Sequence, residues 1–250
     1  MKRINSYTPA YEWMESHPLA LFLLWSAWAG LAFFFLGADS YVRVWEDGET
    51  GLINKVMLSP ILGKGALGYW NPLQVAGYDN MSNVFLYNLD SLLFMILPGW
   101  MAYGLVMFGY RFIAGYFTFR LLRDTLGIDA ASSIFAGLAY SLIPQFPMYY
   151  GLSIPGISFF VWALLRSERK GLFAYPLAFC IGLFFSITSY FPFAIFTVPI
   201  IAFWIVFVAP RSAVKSWALL AFFVSGFLFL QWPILWAGAL NAPLSQRAHW

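Results

Sequence analysis

Apolar and polar positions do not alternate along most of this chain; apolar residues come in long runs separated by short polar punctuation. A helix that crosses a bilayer needs about 20 mostly apolar residues, within a range of about 17–25. The runs that reach or approach that length are Leu19–Leu36, Gly99–Phe119, Ala130–Met148, Ile154–Leu165, Leu172–Thr188, Phe191–Val208 and Trp217–Trp236. The fourth is short and is expected to extend outward through Tyr149–Pro155. A further stretch, Val84–Pro98, is also apolar, but it carries Asp90 and runs into Pro98-Gly99. That punctuation marks a re-entrant or interfacial segment rather than a crossing. The pattern predicts an all-α integral membrane protein of one domain, with about seven transmembrane helices.

Composition strengthens this expectation. Only 10% of the 250 residues are charged, while 61% are hydrophobic and 21% aromatic. A soluble domain carries roughly 25% charged residues, so lipid must cover much of the outside here. The polar start, Met1–Pro18, does not resemble a signal-peptide leader, and the run after it is not closed by a small-residue cleavage site. The first apolar run is therefore expected to be a retained helix.

Charge placement gives the predicted orientation. Lys and Arg gather in cytoplasmic loops. Lys2, Arg3, Arg120, Arg123, Arg166, Arg169, Lys170, Arg211 and Lys215 are nine of the 14 basic residues, and all fall on one side if Val84–Pro98 does not cross. The N-terminus is then expected inside the cytoplasmic membrane and the C-terminus outside.

The same count places one long loop, residues 37–83, on the outer face. Connections beyond about 12–15 residues are usually functional or disordered. This one is too rich in Trp, Tyr, Leu and Val for disorder. Within Tyr41–Met57, Val42, Trp45, Leu52, Ile53 and Val56 recur at helical spacing, which predicts an amphipathic helix lying on the membrane.

Candidate chemistry concentrates in that loop. Asp39, Glu46, Asp47, Glu49 and Asp79 bring carboxylates to one interface, where such groups serve as general bases or ligands for a divalent metal. Asp39 directly follows the first apolar run and so is fixed at the water–lipid boundary. Glu49 is best read as a solvating charge. Trp70 and Tyr78 are suited to stacking on a sugar face, although an interfacial aromatic belt uses the same residues; Asn71 and Asp79 are suited to binding hydroxyls. Arg111 lies inside an apolar run, where a charge costs a few kcal/mol and marks either function or snorkelling to the surface. Asp90 is a candidate partner for it.

Other classes find no support. His17 and His249 stand at the chain ends, too far apart in sequence for a ligand pair or a Ser-His-acid relay. Cys180 is the single cysteine, so no disulfide forms within the chain. There is no phosphate-cradling loop and no basic tract for nucleic acid.

Several short motifs resemble the YfhO-like bacterial membrane proteins. They are Gly37-Ala38-Asp39, Trp70-Asn71-Pro72, Gly77-Tyr78-Asp79-Asn80, Phe85-Leu86-Tyr87-Asn88-Leu89, Phe112-Ile113-Ala114-Gly115 with Arg120-Leu121-Leu122-Arg123, Ala136-Gly137-Leu138-Ala139-Tyr140-Ser141, and Gln231-Trp232-Pro233. The chain departs from that family's pattern at Tyr110, Arg111 and Phe191-Pro192. The resemblance implies a glycosyltransferase of the GT-C superfamily, with a seven-span core and interfacial helices in the first outer loop. Such an enzyme moves a sugar from a polyprenyl-phosphate carrier to an acceptor outside the membrane. The resemblance implies Asp39 as catalytic base, and Arg111 is then a candidate contact for carrier phosphate. Glu46, Asp47, Trp70, Asn71, Tyr78 and Asp79 become candidate substrate-binding residues, with a divalent metal as candidate cofactor. The expected partners are the carrier lipid, membrane lipids and a further membrane protein. Two rivals are a non-catalytic subunit or truncated module on the same core, and a transporter of a lipid-linked substrate.

Overall fold

The computed structural model describes residues 17–36, 70–71, 78–79, 89–142, 151–189, 191–208 and 213–241. The described chain is almost entirely helical. In order it comprises α1 (Pro18–Leu36), a two-residue antiparallel pair β1 (Trp70–Asn71) and β2 (Tyr78–Asp79), α2 (Ser91–Ile96), α3 (Gly99–Leu126), α4 (Ala130–Ser141), α5 (Ile157–Ser167), a 3₁₀ segment (Glu168–Phe173), α6 (Ala174–Thr188), α7 (Phe191–Phe203) with a π turn (Trp204–Val208), and α8 (Ala213–Asn241). Each of the seven apolar runs holds a helix. Three stretches are long and apolar enough to cross a membrane: Gly99–Leu126, Lys170–Thr188 and Val214–Trp232. Leu19–Leu31, Ile157–Ser167 and Ala194–Val208 are shorter apolar helices.

Side-chain exposure fits a lipid environment. Phe135, Phe196, Phe207 and Phe229 are each at least 67% exposed on helices whose opposite sides are buried. Large rings left open on this many helices form apolar surface far beyond what water tolerates.

Some boundaries differ from expectation. The fourth run starts its helix at Ile157, and Gly151–Gly156 is a series of turns instead of an outward extension. Pro155 has no N–H to give a helix, and Gly156 is a weak helix former, so the chain enters α5 only after them. The third run is helical to Ser141, and residues 143–150 lie outside the described residues. Within Val84–Pro98 the helix α2 has six residues, a rise of about 9 Å, which is far short of a bilayer core of about 30 Å. α3 continues seven residues beyond its predicted end, to Leu126, for a total rise of about 42 Å over 28 residues.

Local sequence explains the α3–α4 hairpin. Gly127 ends α3 with φ 63°, the left-handed conformation that glycine adopts without steric cost, and its N–H donates to the Leu122 carbonyl. Asp129 then caps α4, its Oδ1 accepting from the Ser132 N–H at 2.9 Å. That same N–H holds the exposed Asp129 carboxyl below its ordinary titration range. The two helices touch where Gly137 meets the Gly115 backbone, and Trp25 of α1, fully buried, fills the space beside both glycines.

The larger core joins α3, α5, α6, α7 and α8. Phe160, Phe185 and Phe223 are fully buried in it, with ring centroids 4.7 Å apart for Phe160–Phe185 and 5.4 Å for Phe185–Phe223. α6 and α8 approach most closely, because Gly182 faces the Phe223 carbonyl and Gly226 faces the Phe179 carbonyl. Without a hydrophobic drive between helices in lipid, such small-residue contacts supply the packing.

Candidate functional site

Of the candidates in loop 37–83, the backbone of Trp70, Asn71, Tyr78 and Asp79 is described. β1 and β2 pair antiparallel in the register Trp70 opposite Asp79 and Asn71 opposite Tyr78. The four residues singled out for sugar or hydroxyl binding therefore meet in one backbone ladder. Asp39, Glu46 and Asp47 lie outside the described residues, as does the Tyr41–Met57 segment.

Arg111 is half-buried on α3, and its Nε is shut off from solvent. It lies one turn before Gly115 and two before Phe119, residues that pack against Trp25 or its cluster. Its helix face is therefore the one turned toward α1 and α4. Its neighbour Tyr110 occupies the adjacent face and donates to Asp90 Oδ2 at 3.2 Å.

Two polar regions mark opposite ends of the bundle. At one end, backbone groups of interrupted chain are satisfied across elements. The Leu89 N–H donates to the Ile187 carbonyl at 2.8 Å, and the Leu152 N–H to the Thr188 carbonyl at 2.7 Å. Thr197 Oγ1 donates to the Ser153 carbonyl at 2.6 Å, and the Tyr140 hydroxyl to the Ile154 carbonyl at 2.6 Å. Gln231, 3% exposed on α8 between Leu230 and Trp232, donates from Nε2 to Ser186 Oγ at 2.8 Å and to the Ser186 carbonyl at 3.2 Å. Non-helical backbone at membrane depth survives only when its polar groups are paired in this way.

At the other end the C-terminal turns of α3 and α5, which carry basic residues, are tied together. Arg120 pairs with Asp124 at 2.9 Å. Trp162 Nε1 donates to Asp124 Oδ2 at 3.0 Å, and the Arg166 guanidinium lies 5.1 Å from the Trp162 ring centroid. A cation above an indole face is attracted by the ring quadrupole, so Trp162 joins two cationic groups that would otherwise repel. Both basic segments therefore belong to one end of the molecule.

Sequence reasoning passed over Gln231 and Tyr110 as working residues. The signal for Gln231 was present: an amide inside an apolar run must find a partner or lose several kcal/mol. Among the described residues, no group of three or more His, Cys, Asp or Glu side chains could hold a metal.

These features define a helical protein with three helices suited to a bilayer. No family model, no curated protein and no solved structure matches the chain.

Proposed function

We propose that the chain is a membrane glycosyltransferase that takes a sugar from a polyprenyl-phosphate carrier and passes it to an acceptor on the outer face of the cytoplasmic membrane. The observation that supports it most is the β1–β2 register, which brings Trp70, Asn71, Tyr78 and Asp79 into one ladder. Each cross-strand pair joins an aromatic residue type to a carboxylate or amide one, and sugar binding uses both types: ring C–H surface stacks on aromatics and hydroxyls bond to polar groups. On this reading Asp39 takes the acceptor proton, Glu46 and Asp47 hold the acceptor or a divalent metal, and Arg111 meets carrier phosphate through its guanidinium.

The full chain in sealed liposomes, given polyprenyl-phosphate sugars and acceptor glycolipids, should transfer label to the acceptor. Absence of transfer with every carrier tried would sink the enzyme and leave the non-catalytic subunit as the better reading.

The accompanying topology is seven spans with the N-terminus inside. Gly99–Leu126, Lys170–Thr188 and Val214–Trp232 support three of them by length and composition. Single cysteines at Ser6 and Ser245, in a Cys180→Ser background, should react with an impermeant maleimide from opposite sides of sealed cells. Reaction of both from one side would rule out an odd number of spans.

A further inference from the structure

The elbow between α5 and α6 turns apolar side chains outward beside cations. Gly171 breaks the 3₁₀ segment Glu168–Phe173 with φ 60° and ψ −127°, a conformation that favours glycine. Past that break Leu172 and Phe173 are 87% and 77% exposed, and Lys170 just before it is exposed as well. The start of α8 repeats the pattern, with Val214 and Trp217 exposed on either side of an exposed Lys215.

The two places lie at one end of the bundle. α6 and α8 run in the same direction: Tyr175, near the start of α6, lies against Phe222 with ring centroids 5.4 Å apart, and Ser186, near its end, meets Gln231. Lys215 precedes Phe222 by seven residues, a rise of about 10 Å, which carries it past the start of α6 on the side of the elbow. This is also the end at which Trp162 joins α3 to α5.

Both places are cationic. From Arg166 to Phe173 the chain carries Arg166, Arg169 and Lys170 against Glu168, a net +2; from Ala209 to Trp217 it carries Arg211 and Lys215 and no acid, again +2. Asp124 is taken by Arg120 and the Trp162 N–H. Lys170 and Lys215 are in no ion pair among the described residues. Apolar side chains next to such ammonium groups suit the head-group layer of a bilayer, with the rings among acyl chains and the cations among phosphates. A zwitterionic head brings its own cation to these lysines, whereas an anionic head brings uncompensated phosphate charge.

We propose that the α5–α6 elbow and the start of α8 form a docking surface for anionic phospholipid, with Leu172, Phe173 and Trp217 among its acyl chains and Lys170 and Lys215 at its phosphates. This holds whether or not the chain transfers sugar.

The full chain is placed in phosphatidylcholine nanodiscs with a trace of photoactivatable phosphatidylglycerol or photoactivatable phosphatidylcholine, each tagged at the top of one acyl chain, and cross-links are mapped by peptide mass. Phosphatidylglycerol should label residues 166–177 and 213–217 in excess of phosphatidylcholine, and salt at about 1 M, where the Debye length is about 3 Å, should shrink that excess. Lys170→Gln should lower the excess about fivefold, the worth of one cation at an anionic leaflet, and Lys170→Gln with Lys215→Gln about 25-fold, at an unchanged melting temperature. Leu172→Gln with Phe173→Gln should weaken labelling of the elbow by both lipids. If a variant melts early, the salt series on the wild-type chain decides the question. Equal labelling by the two lipids, an excess that survives in the folded double lysine variant or at high salt, or an excess confined to the opposite end of the bundle overturns the proposal.

Discussion

If the chain transfers sugar as proposed, Asp39→Asn is expected to lower that transfer by at least ~10²-fold, the low end of what a positioned general base contributes, while the chain still folds and retains carrier lipid. The step needs a proton removed from the acceptor hydroxyl as its oxygen attacks the anomeric carbon and polyprenyl phosphate departs. Asparagine keeps the size and one acceptor oxygen of aspartate but cannot accept that proton at neutral pH. The proposal rests on sequence position: Asp39 directly follows the first apolar run, where a carboxylate would sit near a carrier phosphate, and the other acids of loop 37–83 follow it. Glu46→Gln and Asp47→Asn should cost less, and chiefly in acceptor affinity, because groups that bind without exchanging a proton act mainly on KM. The measurement is single-turnover transfer with the carrier pre-bound. A near wild-type rate for Asp39→Asn would remove Asp39 from the mechanism, and a deficit shared equally by all three variants would point to loss of loop structure instead of loss of a base.

The helical plan was legible in the sequence because long apolar runs have a one-dimensional signature. Leu19–Leu36 and Phe191–Val208 match helical stretches to within a residue, with no charged position to interrupt either run. The ends were harder. Leu126 is followed by the Gly127 and Asp129 caps, and that punctuation, not loss of hydrophobicity, stops α3; a count of apolar residues ends it too early at Phe119. Gly151–Gly156 reads as apolar but is held in turns by partners from Thr188, Tyr140 and Thr197, which are distant in sequence. The candidate residues are chosen by chemical type along the sequence, and the pairing of four of them is not written there. Nothing local to Trp70-Asn71 or Tyr78-Asp79 specifies which residue faces which, since register depends on the turn that joins them. Asp90 is reached by a hydroxyl one helix away, Tyr110, which donates to it. Pairwise partners of this kind follow from rotation about the helix axis, which hydropathy does not encode.

The largest structural effect is expected where α6 and α8 cross. Gly226→Val should destabilise the folded chain by about 3 kcal/mol, the upper part of the range for overpacking a filled core. A Cβ at Gly226 collides with the Phe179 carbonyl, and one at Gly182 collides with the Phe223 carbonyl. Neither obstacle is the end of a side chain that can swing away; each is backbone, so relief requires the two helices to separate. Separation would also loosen the stack of Phe185 on Phe223 and Phe227, with centroids 5.4 and 5.3 Å apart, and lengthen the Gln231 bonds to Ser186 farther along the same helix pair. In lipid the separated helices gain nothing from water exclusion to offset this, because acyl chains solvate both faces as well as the helices solvate each other. Gly30→Ala is the matched control: its Cβ would meet nothing within 4 Å, and alanine is the better helix former, so no loss is expected. Reversible unfolding in mixed micelles compares the three chains. A Gly226→Val midpoint equal to wild type would show that α6 and α8 do not depend on this close approach, while a matching loss in Gly30→Ala would assign the effect to glycine replacement in general.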